Sequence, residues 1–275
     1  MAKDDWTPPQ GALMAGKRGL VMGVANHNSI AWKIAKQLHA QGAELAFTYL
    51  GEALERRVKP LAEEGNASLL VPCDVADDAS MDGAFAAIKD HWGQFDFLVH
   101  AIAFSDKDAL KGSFVENTTR QAFLDTMNIS AWSFVDCLKR AQPLLREGGS
   151  ALTLSYLGAE RTVPNYNVMG VAKAALEACV RYAARDLGPH GVRVNAISAG
   201  PVRTLAAAGI SGGRHMFGFN RLASPLKADT DPAGVAGGAL YLLSDLGASC
   251  TGEVLHIDAG FHIVGMPDPE ALAGD

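Results

Sequence analysis

Residues 19–49, "GLVMGVANHNSIAWKIAKQLHAQGAELAFTY", decide the fold. The run opens as a short apolar strand (19–24), turns through polar residues, continues as a helix (29–42) that stops at Gly42, and ends in a second strand (43–49). Strand, helix and strand in about thirty residues form a βαβ unit. The strands are apolar on both faces, as expected of a parallel sheet covered by helices on two sides.

The same alternation continues along the chain. A charged helix, "LERRVKPLAEEG", spans Pro60 and precedes a third strand (68–75), a third helix (80–93) and a fourth, almost wholly apolar strand (95–104). A long helical region, "TRQAFLDTMNISAWSFVDCLKRAQPLL", leads to a fifth strand (150–158) and a fifth helix (167–187). A sixth strand opens at 193–198, and after a long connection come the helix "PAGVAGGALYLLSD" and a last strand (253–260). The expectation is α/β: one Rossmann-like, doubly wound parallel sheet of about seven strands over residues 15–265. Residues 1–14 are expected as a flexible arm and 266–275 as a tail. The stretch from Pro201 to about Lys227 is longer than an ordinary connection and carries Leu205, Ala206, Ala207, Ile210, Met216, Phe217 and Phe219. Its position after a central strand predicts a substrate lid, with an ordinary surface helix as the alternative.

Composition narrows the function. The chain has 275 residues, 48% of them hydrophobic, and a formal charge of −6. That charge argues against non-specific nucleic-acid binding, which rests on clustered Lys and Arg. Cys73, Cys137, Cys179 and Cys250 are far apart, so buried thiols in a reducing cytoplasm are expected rather than disulfides or a zinc site. The start, "MAKDDWTPPQ", lacks the basic and apolar runs of a secretory signal, and no apolar stretch reaches the roughly 18 residues of a membrane helix. A cytoplasmic protein is expected. His27, His100, His215, His256 and His262 show no metal-ligand spacing, and no metal is expected.

Three successive strand ends are suited to a dinucleotide. Gly23 ends the first strand and Ser29 opens the first helix, where a pyrophosphate would rest on backbone N–H groups at the positive helix end. The usual glycine fingerprint is missing; Ser29 and Ala31 stand where glycines are expected, and both are small. Ser29 is expected to cap the helix or to donate a hydrogen bond. Asp74 after the third strand reads either as an acceptor for an adenine amino group, with the Val75 main chain reading the ring, or as part of a helix cap that Asp77 or Asp78 would equally supply. "HAIAF" closes the fourth strand with small and apolar residues. At the end of the second strand Glu52 is acidic, and Arg56 and Arg57 come only later. A 2′-phosphate would be poorly received, so NADH is favoured over NADPH.

"SYLGAERTVPNYNVMGVAK" (155–173) holds the chemistry. Tyr166 and Lys173 are seven residues apart, about two helical turns, and their rise of roughly 10 Å suits two groups that grip one ligand rather than each other. In short-chain dehydrogenases the phenol stands four residues before the lysine; here that place holds Met169, and Tyr156 occupies the place of the usual serine. The combination, with "LTLSYLGAER", "PNYNVMGVAKAALE", "GVRVNAISAGPVRTLAA" and "SDL…TGEVLHIDAGF", closely resembles the bacterial NADH-dependent enoyl-acyl-carrier-protein reductases, a divergent branch of the short-chain reductases, from about Lys17 to Phe261.

The resemblance implies that Tyr156, Tyr166 and Lys173 are catalytic, and that Ser105 and both tyrosines meet the substrate. It implies that Gly23, Ser29, Ile30, Leu50, Asp74, Val75, Ile102, Lys173, Val202, Arg203, Thr204, Leu205 and Ala206 line the NAD site. Leu50 stands where glutamine is common, so its contact is main-chain, and Ser105 stands where a small apolar residue is common. The implied activity is hydride transfer from NADH to a trans-2-enoyl thioester on acyl carrier protein, in fatty-acid synthesis, by a homotetramer. Tyr166 would stabilise the enolate. Lys173 would bond the nicotinamide ribose and ease ionisation of the phenol. Asn128 reads as a proton-relay residue or as an internal hydrogen-bond donor. Arg203, Arg214, Arg221 and Lys227 read as a landing for the acidic carrier or as solvated charges. The rival functions are a carbonyl reductase of the same fold, opposed by Met169, and a silent dinucleotide-binding regulator, opposed by the presence of Tyr166 and Lys173.

Overall fold

The computed structural model describes residues 6–204 and 213–269. The first half runs β1 (Arg18–Met22), α1 (Ile30–Ala40), β2 (Glu44–Tyr49), α2 (Gly51–Glu64), β3 (Leu69–Pro72), α3 (Asp78–Trp92) and β4 (Phe95–His100). The second half runs α4 (Phe114–Asn117), α5 (Arg120–Met127), a π-turn (Asn128–Trp132), α6 (Ser133–Ala141), β5 (Leu145–Ser155), α7 (Asn167–Leu187), β6 (Arg193–Ala199), α8 (Gly213–Ala223), α9 (Pro232–Leu243) and β7 (Val254–Ile257). Among the described residues the strands form one sheet in the order β3-β2-β1-β4-β5-β6-β7, and every neighbouring pair is parallel.

Alternation along each strand sends side chains into two separate cores. On one face Val21, Phe47 and Phe97 pack under Trp32 and Leu38 of α1, Val58 of α2 and Leu242 of α9. On the other, Leu20, Leu98, Ala151 and Val194 pack under Met81 and Ile88 of α3, Phe134 of α6, and Leu176 and Val180 of α7. Each fully buried side chain of this size contributes about 1.5–3 kcal/mol by leaving water. From β1 the chain winds outward to β2 and β3, then returns across β1 to begin β4. The winding reverses between β1 and β4, and the crevice beyond their carboxyl ends is where such sheets take ligands.

Several boundaries differ from the sequence reading. The fourth strand stops at His100 rather than 104, because Ala101 N–H donates to Met22 O and the chain then crosses the end of β1. Residues 101–104 are loop, and Phe104 is exposed despite its apolar neighbours. The fifth strand begins earlier, at Leu145, which pairs with Phe95 across a register irregularity. The third strand is shorter than 68–75, so Asp74 lies in the loop beyond it. The long helical region is two helices joined by the π-turn, where Ser133 Oγ donates back to Ile129 O at 2.7 Å.

The described part of the expected loose arm is tied down. Gly11 N–H donates to Ala40 O and Met14 N–H to Gln41 O, Gln41 Nε2 donates to Pro9 O, and Met14 is fully buried. The polar and proline-rich composition of this stretch hid an anchor that uses backbone bonds rather than apolar periodicity.

Candidate active site

Gly23 sits at the switch point with φ +97°, and a Cβ there would lie 2.1 Å from Ala101 O. Only glycine lets the ends of β1 and β4 approach this closely. Beyond it, Ser29 has the extended backbone of a helix N-cap, but its side chain does not cap α1. Instead Ser29 Oγ accepts from the N–H groups of Ala25 and Asn26, each at 3.0 Å, which corrects the expected cap. Ser29 thus holds the turn closed and keeps its own O–H as a donor. The positive end of α1, followed by half-buried Ile30, has no side-chain cap and is free to meet a dinucleotide's pyrophosphate. The residues present therefore fit such a group.

The adenine end is arranged likewise. Asp77, not Asp74, caps α3, accepting from Ser80 N–H at 2.8 Å. Asp74 Oδ1 accepts only the local Ala76 N–H, while its own N–H is held by Ser80 Oγ, so the cap reading for Asp74 falls away. Val75 and Ile102 are half-buried against the α3 side of the core. Leu50 precedes α2 and is exposed; Glu52 lies on α2 and accepts from Arg56 at 3.3 Å. Val202 is buried after β6, Thr204 N–H donates to Val202 O, and Leu205 and Ala206 lie outside the described residues.

The two tyrosines meet. Their ring centroids are 4.9 Å apart, with planes at 71°, an edge-to-face pair. Tyr166 is buried, and burial, with Tyr156 and Glu177 adding, pushes its phenol far above the ordinary value. Burial and then Asp258 push Tyr156 up to about 12. Burial thus dominates at both positions, and both phenols are neutral O–H donors at physiological pH.

Local strain aims Tyr166. Its neighbours Asn165 and Asn167 both have positive φ, +59° and +37°, and Asn167 Nδ2 donates to Ala109 O and Gly112 O. Asparagine is among the few side chains that visit this region routinely, and a non-glycine residue there otherwise costs roughly 1–2 kcal/mol. The signal was present in "NYN" and went unread. Replacing Asn165 by alanine and by glycine removes the side chain equally, so the difference isolates the backbone. The alanine variant is expected to be less stable than the glycine variant by about 1 kcal/mol in urea unfolding, and to lose more activity.

Lys173 is buried and donates from Nζ to Leu154 O at 2.7 Å, leaving two N–H donors. Burial pulls its ammonium down to about 8, against the pull of Glu177. Ser105 follows the β4 loop and accepts from Thr126 Oγ1 at 2.9 Å; Ser130 Oγ clasps both N–H and C=O of Phe104 at 2.9 Å. These hydroxyls of α5 and the π-turn hold the loop beyond β4, a role the sequence reading missed. Asn128 is exposed at the start of that π-turn, and no side-chain bond of the kind expected holds it. α8 reaches Tyr156 through Met216, whose Sδ accepts from Tyr156 Oη at 3.6 Å, and Phe219 stacks edge-on to Phe261. Of the cations between Pro201 and Lys227, Lys227 is engaged by Asp268 at 2.7 Å and by Leu222 O, and Arg203 lies over Phe217 and 4.0 Å from Asp229. Arg221 is exposed, and Arg214's side chain lies outside the described residues.

The family model described as enoyl-(acyl carrier protein) reductase matches residues 23–262. The NADH-dependent enoyl-[acyl-carrier-protein] reductase 2 of Rhizobium meliloti is 60% identical over 260 residues, covering 94% of this chain and 97% of its own. The NADH-dependent counterpart from Bacillus cereus is 51% identical, covering 92% of this chain and 99% of its own. Among solved structures, the Anaplasma phagocytophilum reductase in complex with NAD superposes with a TM-score of 0.91 at 55% identity, covering 95% of this chain and 99% of its own.

Proposed function

The chain belongs to the enoyl-(acyl carrier protein) reductase family, and on that premise we propose how its own residues reduce a trans-2-enoyl thioester on acyl carrier protein. Bound NADH supplies the hydride, which adds to C3 of the enoyl group. Negative charge would then collect on the thioester oxygen as an enolate, which collapses as C2 takes a proton from solvent or through a relay, leaving the saturated acyl thioester and the oxidised nucleotide. The Tyr166 O–H is the donor that meets it, and Tyr156 supports the acyl chain or the same oxygen. Stabilising charge where it develops is commonly the largest catalytic contribution. Lys173 directs its two remaining N–H donors to the ribose of the nicotinamide. The uncapped α1 terminus and Ser29 would hold the pyrophosphate, Asp74 and Val75 the adenine, and Val202, Arg203, Thr204, Leu205 and Ala206 would line the cofactor.

The observation that carries this reading is the edge contact between the buried Tyr166 ring and the partly buried Tyr156 ring, with both phenols pushed up and so protonated. A carbonyl reductase would need its acid at position 169, where Met169 is buried and has no proton to give. The test is loss of reduced-nicotinamide absorbance with a trans-2-enoyl thioester, NADH and NADPH in parallel. Turnover is expected with NADH, and at least tenfold lower kcat/KM with NADPH. NADH binding without turnover of any enoyl thioester would overturn it in favour of the silent regulator.

The same reading places the enzyme in the cytoplasm as a homotetramer. In support, among the described residues no helix is long and apolar enough to cross a membrane. All four residues of the edge strand β7 are half-exposed, and Tyr241 and Leu246 stand exposed beside it. Among the described residues, Arg203 and Arg221 are exposed cations that would receive the acidic carrier.

A further inference from the structure

One helical turn beyond Lys173, Glu177 is a buried carboxylate that the chemistry above does not use. Ser155 Oγ donates to Glu177 Oε1 at 2.5 Å, and Lys173 Nζ donates to Leu154 O at 2.7 Å. Successive turns of α7 therefore grip successive residues at the end of β5. The next residue along the chain is Tyr156.

The surroundings of both groups are explicit. Glu177 faces Ser155 of β5, Glu160 after the Tyr156 turn, His256 of β7 and Arg181 on its own helix. Glu160 is engaged by His256 Nε2 at 2.7 Å; the His256 ring stacks on His262 at 4.1 Å, and His262 Nδ1 bonds Asp258 at 2.9 Å. Lys173 faces His100 of β4 on its other side, and burial pushes that imidazole down to about 3, so it is neutral and adds no competing cation. Among the described residues, Glu177 is the carboxylate whose charge raises the Lys173 ammonium.

We infer that Glu177 is a positioning residue for the reduction: through Ser155 it fixes the end of β5 on which Lys173 is anchored at Leu154 and from which Tyr156 projects. The inference rests on the proposal that Lys173 serves the nicotinamide nucleotide. Burial of Glu177 pushes its carboxyl above the usual range, while the Ser155 hydroxyl, His256 and Arg181 favour the anion. The sign follows. Removing the anion withdraws the support that opposes desolvation, so the Lys173 ammonium loses its proton at lower pH. An uncharged amine grips the ribose less well, and the alkaline limb of cofactor binding moves down.

The test is NADH affinity by fluorescence from pH 6 to 9.5, with kcat alongside, in the parent, Glu177→Gln, Glu177→Asp and Lys173→Met. Glutamine keeps an acceptor for Ser155 Oγ. Its variant is expected to match the parent near pH 6 and to lose affinity with an alkaline limb displaced down by roughly one pH unit. The aspartate variant, with its charge drawn back, should fall between them, and it carries the test alone if the glutamine variant does not fold. Lys173→Met is expected to bind NADH weakly with no alkaline limb. An unmoved limb in the Glu177 variants, or a loss equal at every pH, overturns the inference while Lys173→Met still binds weakly. Lys173→Met that binds NADH like the parent overturns the lysine's proposed role instead.

Discussion

Tyr166→Phe is expected to lower kcat about 10²–10³-fold, the usual cost of removing one donor to a developing oxyanion. Affinity for NADH should change less than about twofold, because the ring and its packing are kept and only the O–H is lost. The edge contact with Tyr156 survives, so circular dichroism and melting temperature should match the parent. The pH dependence supplies a second check. Burial holds the phenol protonated well above its ordinary range, so no loss of activity between pH 6 and 9 should trace to Tyr166. Tyr156→Phe is expected to cost less, since that phenol is occupied by Met216 Sδ and lies beside the lid. Stopped-flow measurement of hydride transfer with saturating enoyl thioester would decide between the two tyrosines. A Tyr166→Phe variant with parental kcat would remove the enolate donor from the mechanism.

Gly158→Ala is the second large effect. A Cβ at 158 would stand 2.3 Å from Cδ1 of the Tyr166 ring, and Gly170 closes the other side, where a Cβ would reach 2.7 Å from Gly158 O. An added methyl at 158 must therefore displace the Tyr166 ring or lift the turn after β5. Overpacking of this kind costs roughly 1–3 kcal/mol. The loss of activity should be larger than the loss of stability, because a displacement of about 1 Å in a catalytic group costs on the order of a hundredfold. The expected outcome is a protein that still folds and binds NADH, with kcat down at least tenfold. Parental kcat would show that the ring has room the structure does not reveal.

The sheet was legible because its strands are continuous apolar runs between helices of ordinary length. The α7 boundaries, 167–187, were read correctly from apolar spacing alone. Residues 101–104 misled for the same reason: "AIAF" is apolar, but its backbone leaves the sheet to cross β1, and no local pattern reports a crossing. The anchored segment before β1 was missed because backbone bonds to Ala40 and Gln41 leave no trace in side-chain periodicity. At the site, residue identities and spacing pointed to the tyrosines and the lysine. Their protonation states did not follow, because desolvation depends on what packs around a group. Burial raises both phenols above the ordinary range, and the sequence does not report burial. Glu177 was invisible for a related reason: an acid four residues after a lysine reads as an ordinary helical pair until both are found buried.

The α1 terminus that Ser29 leaves uncapped has a thermodynamic consequence. A helix end that completes its bonding only with a nucleotide makes the folded state a binding partner in its own denaturation equilibrium. At a hundred times the dissociation constant, such a ligand adds about 2.7 kcal/mol to the unfolding free energy. The protein's resistance to heat and proteases should therefore track the ambient dinucleotide concentration. Purification that strips the nucleotide would yield a softer molecule from an unchanged sequence.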